Sequence, residues 1–96
     1  MKKVFITRAY LYRLRNEVPF QPLFRKLGWP HKRVGHQLRF VCPICGESQT
    51  SVNPATNLAR CFRCELNWNP IDFTIKATNC EFTQAIAQLE ELLPNP

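Results

Sequence analysis

The sequence has no long hydrophobic run: no stretch approaches the roughly 18 uninterrupted apolar residues that a membrane-spanning helix needs. The start of the chain also lacks the apolar core of a secretory signal peptide, because Lys2 and Lys3 lead into only three apolar residues before Arg8. Internal repeats, low-complexity tracts and long linkers are absent as well. We therefore expect a cytoplasmic protein that does not associate with membranes, with residues 1–96 forming a single domain.

Acidic residues are scarce in the first part of the chain. Residues 1–40 contain ten basic side chains and only Glu17 as an acid, whereas residues 41–96 contain three basic and six acidic side chains. The formal net charge of +6 therefore arises from the amino-terminal part. A basic block gains affinity for a polyanion by releasing counterions, which favours nucleic acid as the partner. A solvated surface that only keeps the protein in solution is the alternative explanation.

The chain is also short. A length of 96 residues and a mass of 11.2 kDa exclude the large catalytic domain of a polymerase or a kinase. A composition of 45% hydrophobic and 21% charged residues is that of an ordinary globular domain. A core of this size benefits from an additional crosslink, and five cysteines are available to provide one. In a reducing compartment, metal ligation is favoured over disulfide formation.

Helical periodicity and capping residues predict four helices. The first helix is predicted to begin at Thr7 and end near Asn16, and the second to begin at Pro19 and end at Gly28. The third is predicted to begin at Asn69-Pro70 and end near Thr78, and the fourth to run from about Phe82 to Leu93. Three short strands are predicted by alternation of apolar and polar residues, at Gln37–Val41, Ser48–Asn53 and Asn57–Cys61. Asn53-Pro54 is a turn signal, so the second and third strands are expected to form a hairpin. Residues 29–35 are expected to form a basic loop.

Four cysteines form the most specific pattern: Cys42 and Cys45, then fifteen residues, then Cys61 and Cys64. A two-residue spacer lets two thiolates from one tight turn reach the same Zn²⁺ ion, and two such turns complete a tetrahedral shell. A complete shell leaves no position for water, so we expect one structural Zn²⁺ without a catalytic role. Gly46 suits the left-handed bend that follows such a turn.

Three other roles are less favoured by the residues. Redox use of either cysteine pair fits poorly because no extended parallel-sheet pattern surrounds them. His31 and His36 could compete as ligands, but the four cysteines already complete the shell. Cys80 has no ligand spacing and is interpreted as a buried, small apolar residue.

Together these elements predict a small α+β fold. Its centre is a zinc ribbon, in which a short antiparallel sheet carries two Cys-x2-Cys knuckles, and helices flank the ribbon on both sides in sequence. Residues 1–36 are the basic helical segment, residues 37–69 the ribbon, and residues 70–93 the carboxy-terminal helices.

Five segments follow one another in a specific order. They are Phe40–Cys45, the short strand Thr50–Val52, the second knuckle Cys61–Cys64, Pro70–Phe73 and a final helix containing Phe82–Ile86. This order resembles the zinc-binding domain, a CHC2-type zinc finger, of bacterial replicative DNA primases, over roughly Phe20 to Leu93. That family usually has histidine where this chain has Cys45, and favours glycine at the places of Glu65 and Trp68.

The resemblance implies binding of a single-stranded DNA template and assistance in primer initiation during DNA replication. The polymerising part of such primases is a separate and larger domain, so we expect a non-catalytic module, free-standing or cut from a longer primase, that acts with a DNA polymerase or primase catalytic protein. A free-standing module fits a phage, plasmid or other mobile element. The alternative is a zinc-ribbon adaptor that only presents surfaces to another protein in such a complex.

Cations and aromatic rings beside the ribbon are the candidate DNA contacts, since cations follow the phosphates and aromatic faces stack on bases. The candidates are Arg39, Phe40, Arg60, Phe62, Arg63, Lys32 and Arg33. Trp29 and Trp68 are further stacking candidates. For each of these aromatic residues, packing in the core is the alternative.

Overall fold

A computed structural model describes residues 6–94 of the chain, so Lys2 and Lys3 of the predicted basic segment lie outside the described residues. Four helices and five strands follow in sequence. They are α1 (Arg8–Asn16), α2 (Phe20–Leu27), β1 (His31–Val34), β2 (Gln37–Phe40), β3 (Thr50–Asn53), β4 (Leu58–Cys61), β5 (Leu66–Trp68), α3 (Pro70–Thr78) and α4 (Phe82–Glu90). The predicted small α+β architecture is confirmed.

Three helix ends lie at the capping residues that the sequence indicates, namely the starts of α1 and α3 and the end of α2. Thr7 Oγ1 accepts a hydrogen bond from the Tyr10 backbone N–H at 3.0 Å, and Asn69 Oδ1 accepts one from Asp72 N–H at 2.8 Å. Gly28 ends α2 with a φ of 63°, a left-handed conformation that costs glycine little. The predicted end of α4 at Leu93 is wrong, because the chain after Glu90 continues only in tighter three-residue turns.

The strands form two antiparallel sheets, β1-β2 and β3-β4-β5. The predicted hairpin is confirmed by a register that runs from Thr50 opposite Cys61 to Asn53 opposite Leu58.

The expected basic loop over residues 29–35 is wrong, because residues 31–34 form β1 and pair with β2. Three of the four β1 residues are exposed, so no buried alternation marks this strand in the sequence. Strand β5, directly after the second knuckle, was also not predicted.

A buried threonine joins the two sheets. Thr50 Oγ1 accepts a hydrogen bond from the Phe40 backbone N–H at 2.9 Å and donates one to the Phe40 carbonyl oxygen. Thr50 is 2% exposed, so water cannot replace these bonds. The hydroxyl therefore satisfies both backbone groups of Phe40 on the side of β2 that faces β3, where the two strands share no backbone ladder.

Aromatic rings fill the core between the helices and the ribbon. Phe73 of α3 lies at the centre, with ring centroids 5.9 Å from Phe20, 5.2 Å from Phe24 and 5.6 Å from Phe40. The mainly edge-to-face arrangement of these pairs is the one aromatic quadrupoles favour. Phe40 is only 1% exposed, so the prediction that its ring stacks on a base is wrong. Its ring instead packs against the rings of Phe24 and Phe73 in the core.

The two tryptophans also belong to the core rather than to a binding surface. Trp68 is 5% exposed and packs against Phe40 and Phe73. Trp29 is half-buried, packs edge-on against Phe73 at 5.7 Å and donates its indole N–H to the Val41 carbonyl at 2.7 Å. In both cases the structure favours core packing over base stacking.

Within the described part of the chain, no helix combines the length and the apolar character needed to cross a membrane.

We expect Thr50→Val to lower the free energy of unfolding by about 2 to 3 kcal/mol, because it leaves a buried N–H and a buried carbonyl of Phe40 unpaired. The matched control is Thr74→Val. Thr74 is equally buried, but its hydroxyl only adds a second bond to the Pro70 carbonyl inside α3, so a loss of less than about 1 kcal/mol is expected. Urea unfolding of the zinc-loaded proteins measures both, and equal losses would contradict the role given to Thr50.

Candidate metal centre and nucleic-acid surface

Two tight turns bring the four cysteines together. In the first, Gly46 N–H donates to the Cys42 carbonyl at 3.0 Å, and Gly46 has a φ of 75°, which only glycine adopts without strain. The second knuckle follows β4 and ends at Glu65, whose φ of 56° lies in the same left-handed region. Glutamate at such a position costs about 1 kcal/mol relative to glycine. The chain therefore keeps the backbone geometry of the turn although it departs from the family residue.

The distances between the sulfurs fit a tetrahedral zinc ion. All four Sγ atoms lie within 4.8 Å of one another, with Cys42 to Cys64 at 3.9 Å and Cys45 to Cys61 at 3.7 Å. Four sulfurs at the usual Zn–S distance of about 2.3 Å are separated by about 3.8 Å. The same separations are far longer than a disulfide bond of about 2.05 Å. The residues present therefore fit one Zn²⁺ bound by four thiolates.

Backbone N–H groups are directed at two of the sulfurs. Cys42 Sγ lies 3.4 Å from Ile44 N and 3.5 Å from Cys45 N, and Cys61 Sγ lies 3.4 Å from Cys64 N. Burial raises the pKa of the Cys61 thiol, but this N–H and the neighbouring thiols outweigh burial and bring the pKa to about 7. Burial also raises the pKa of Cys42, which the N–H groups only partly offset. The turns thus provide donors for thiolates before a metal is added.

The histidines and the fifth cysteine stand apart from this cluster. His31 Nδ1 lies 2.7 Å from the Trp29 carbonyl oxygen, and its ring packs on Phe24. Among the described residues, the cluster that could hold a metal consists of the four cysteines alone. Cys80 is half-buried and packs against the hydrophobic core, as its interpretation as a small apolar residue requires.

The fold and the four clustered thiols define a zinc ribbon with a structural metal site. The family model described as CHC2 zinc finger, the zinc ribbon of DnaG primase, matches residues 6–94, and the chain belongs to this family. Among curated proteins, none matches the chain. The expected resemblance to the primase zinc-binding domain is therefore confirmed.

The outer face of the three-stranded sheet carries two of the predicted DNA contacts. Along β4, Ala59 and Cys61 point inward, so Arg60 and, just after the strand, Phe62 lie on the opposite face. The Arg60 guanidinium carbon lies 5.6 Å from the centroid of the Phe62 ring, which is a cation–π distance. Phe62 is 56% exposed, which is unusual for a phenylalanine and leaves its ring accessible.

A groove of about 670 Å³, here called the sheet-face groove, lies beside this pair. Its lining includes residues that the sequence did not single out: Ser51 and Asn67, which flank Arg60 on the neighbouring strands, and Gln37 from the β1-β2 hairpin. His36, which the sequence suggested as a competing metal ligand, also lines this groove. Among the described residues that line it, none is acidic. Polar side chains at strand positions opposite Arg60 could be identified only once the register was known.

The remaining predicted contacts are spread over other surfaces. Arg63 is exposed but forms a salt bridge with Glu47, with 3.0 Å between Nη1 and Oε1. Lys32 and Arg39 lie opposite each other on one face of the β1-β2 hairpin, and both hydrogen bonds of Arg39 go to Gln37 Oε1. Arg33 points to the other face, where its Nη2 donates to Gln21 Oε1 at 2.9 Å. The structure therefore does not bring all the predicted cations to one surface.

We expect Cys45→Ser to lose stoichiometric zinc and the cooperative thermal transition, because structural zinc contributes about 10 to 16 kcal/mol in sites of this kind. Cys80→Ser is the control for removal of a thiol, and it should keep one zinc per chain and the wild-type transition. Cys45→His should also keep the metal, because it restores the shell that is usual in the family. Elemental analysis and thermal unfolding measure these outcomes, and a Cys45→Ser protein that keeps its zinc would contradict the ligand set.

Proposed function

We propose that this chain is a primase-type zinc-ribbon module that binds a single-stranded DNA template and assists primer initiation in DNA replication. The bound Zn²⁺ holds the two knuckles together and leaves no coordination position for a reacting group, so the module itself carries out no chemistry. The reaction is performed by a separate catalytic polymerase or primase. In this proposal the module acts in the cytoplasm, and a free-standing form belongs to a phage, plasmid or other mobile element.

The observation that carries the proposal is the pair formed by the half-buried Arg60 and the exposed Phe62 beside the sheet-face groove. An unpaired base has a π face that can stack on Phe62, and stacking of this kind contributes about 1 to 3 kcal/mol per base. Arg60 lies close enough to contact the phosphate next to a stacked base. A duplex does not present its base faces, so this combination favours a single strand.

The polar residues of the groove suit a nucleic-acid chain of varied sequence. Ser51 and Asn67 lie directly across from Arg60 and offer a hydroxyl and an amide to base edges or phosphates. Lys32 and Arg39 on the adjacent hairpin add positive charge near Gln37, which lines the groove. The surface therefore combines the aromatic and cationic features by which proteins hold single strands.

A second candidate function is supported by the apolar side chains Ile44 and Leu66, which remain exposed beside the knuckles. Exposed apolar residues next to a rigid metal site suit a protein partner, so the module would act as an adaptor in a replication or mobile-element complex. The two functions differ in their dependence on salt. DNA binding weakens steeply as the salt concentration rises, whereas binding through apolar contacts does not.

We expect Arg60→Gln to weaken binding to a single-stranded oligonucleotide and to reduce the slope of log affinity against log salt by about 0.7, the value for one lost phosphate contact. Phe62→Leu should weaken binding without changing the slope, because it removes stacking but no charge. Fluorescence anisotropy at several salt concentrations measures both effects.

The charge control for this series is Lys76→Gln, since Lys76 is an exposed residue of α3 outside the described lining of the groove. It should leave affinity and slope close to those of the wild type. Wild-type affinity that is insensitive to salt, or equal effects of Arg60→Gln and Lys76→Gln, would contradict DNA binding on the sheet face and favour the adaptor.

We expect Glu47→Gln to raise affinity for single-stranded DNA by a few-fold, because it releases Arg63 from its salt bridge and removes a negative charge beside the knuckles. In the Arg63→Gln background the same substitution should have a smaller effect, since no guanidinium is left to release. A double-mutant cycle in anisotropy measures the coupling, and strictly additive effects would show that Arg63 does not contact the DNA.

A further inference from the structure

A second groove lies on the other side of the β1-β2 hairpin. It encloses about 380 Å³ between the α1-α2 junction, the hairpin and the β3-β4 turn, and we call it the helix-side groove. Arg33 from β1 and Pro19 and Pro22 from the helical segment contribute to its lining. Its lining combines apolar side chains with a cation, amide groups and one carboxylate. The apolar and amide groups suit sugars and bases, and the cation suits a phosphate.

The two grooves are neighbours. Both are lined by His36 at the tip of the hairpin, by Val52 of β3 and by Pro54 of the β3-β4 turn. These three residues form the boundary that a strand leaving Arg60 would pass to reach the helix-side groove. Val52 and Pro54 belong to the strand and turn of the sheet that carries Arg60, whereas His36 lies in the β1-β2 hairpin.

Arg33 is positioned at this second groove by a hydrogen bond. Its Nη2 donates to Gln21 Oε1 at 2.9 Å, which holds the guanidinium on the groove side of β1. Asn57 donates to the carbonyl oxygens of Arg15 and Val18 at 3.0 and 2.8 Å, so the β3-β4 turn is tied to the end of α1. The turn and the helix therefore keep the groove open in a defined shape.

The charge of the second groove favours an anion despite one acidic residue. Glu17 is part of the lining, but its carboxylate is paired with Arg13 at 3.2 Å. Arg33 has a neutral partner, so its positive charge is not cancelled. Arg15 lies beside the same turn and is exposed. A phosphate that reaches Arg33 is thus met by the positive charge of this guanidinium, while Arg15 lies outside the described lining and adds positive charge at the end of α1.

We propose that a single DNA strand on the sheet face continues around the hairpin tip into the helix-side groove, where Arg33 contacts its backbone. This inference rests on the proposed function of the sheet face and extends it. Only strands long enough to reach the helix-side groove then contact Arg33. The amino-terminal helices form part of the binding surface in addition to packing against the ribbon. The length of strand bound then exceeds what the sheet face alone accommodates.

The test compares the full-length, zinc-loaded wild type with Arg33→Gln on deoxythymidine oligonucleotides of about 4, 8 and 16 nucleotides, the range of site sizes of single-strand binding surfaces. A long oligonucleotide offers more binding registers, and this raises the affinity of both proteins by the same factor. The ratio of wild-type to variant affinity is therefore compared at each length, because this factor cancels in the ratio. The ratio should be near 1 for the shortest oligonucleotide and about 3 to 10 for the longest at low salt.

Two further variants separate position from charge. Gln21→Glu places a carboxylate against Arg33, and it should show the same length-dependent loss although Arg33 is still present. Arg25→Gln removes one exposed positive charge from α2 outside the described lining of both grooves, and its ratio should stay near 1 at every length. Zinc content and the thermal transition confirm that each variant is folded.

The outcomes are distinct. A length-independent loss in Arg33→Gln, or no loss at any length, would overturn the extended path while leaving the sheet face as the binding site. A variant that binds DNA normally but binds the catalytic partner protein less tightly would assign the groove to that partner and equally overturn it. Failure of the wild type to bind any of the oligonucleotides would instead contradict the proposed function itself.

Discussion

The structure depends on the coordination of one zinc ion by thiolates from two turns that are separated in sequence. Cys42 and Cys45 follow β2, whereas Cys61 ends β4 and Cys64 lies in the turn after it, so the metal joins two sheets that share no backbone ladder. Structural zinc of this kind contributes about 10 to 16 kcal/mol, as much as the whole stability of many domains. A protein of this size can therefore keep strands as short as three and four residues in a defined register.

One strand connects the metal to the proposed binding surface. Because side chains alternate along β4, Cys61 points toward the metal and Arg60 points away from it, and Phe62 follows on the exposed side. Thr50, opposite Cys61, binds Phe40 and holds the β1-β2 hairpin against this sheet. The rigidity that the metal gives to the knuckle is thereby passed to the surface on which bases are proposed to stack, and preorganisation of this kind reduces the entropic cost of binding.

Most of the fold follows from local signals in the sequence. Thr7, Gly28 and Asn69-Pro70 mark helix ends because capping is a local interaction. The cysteine spacing identifies the metal site because two Cys-x2-Cys pairs can supply four thiolates to one zinc ion. Strand β1 has no such signal, since its exposed residues are held by pairing with β2 rather than by burial. The burial of the Phe40 side chain and the distribution of the basic residues over several surfaces depend on strand register and on long-range packing. Neither can be predicted from a local sequence pattern.

The central claim is that four sulfurs and no nitrogen surround one zinc ion in the folded protein. X-ray absorption at the zinc edge of the purified protein tests it most directly, because Zn–S and Zn–N distances of about 2.3 and 2.0 Å are well separated. The account predicts a single shell of four sulfurs. A shell that includes an imidazole nitrogen, or a cooperatively folded protein that contains no zinc, would contradict it.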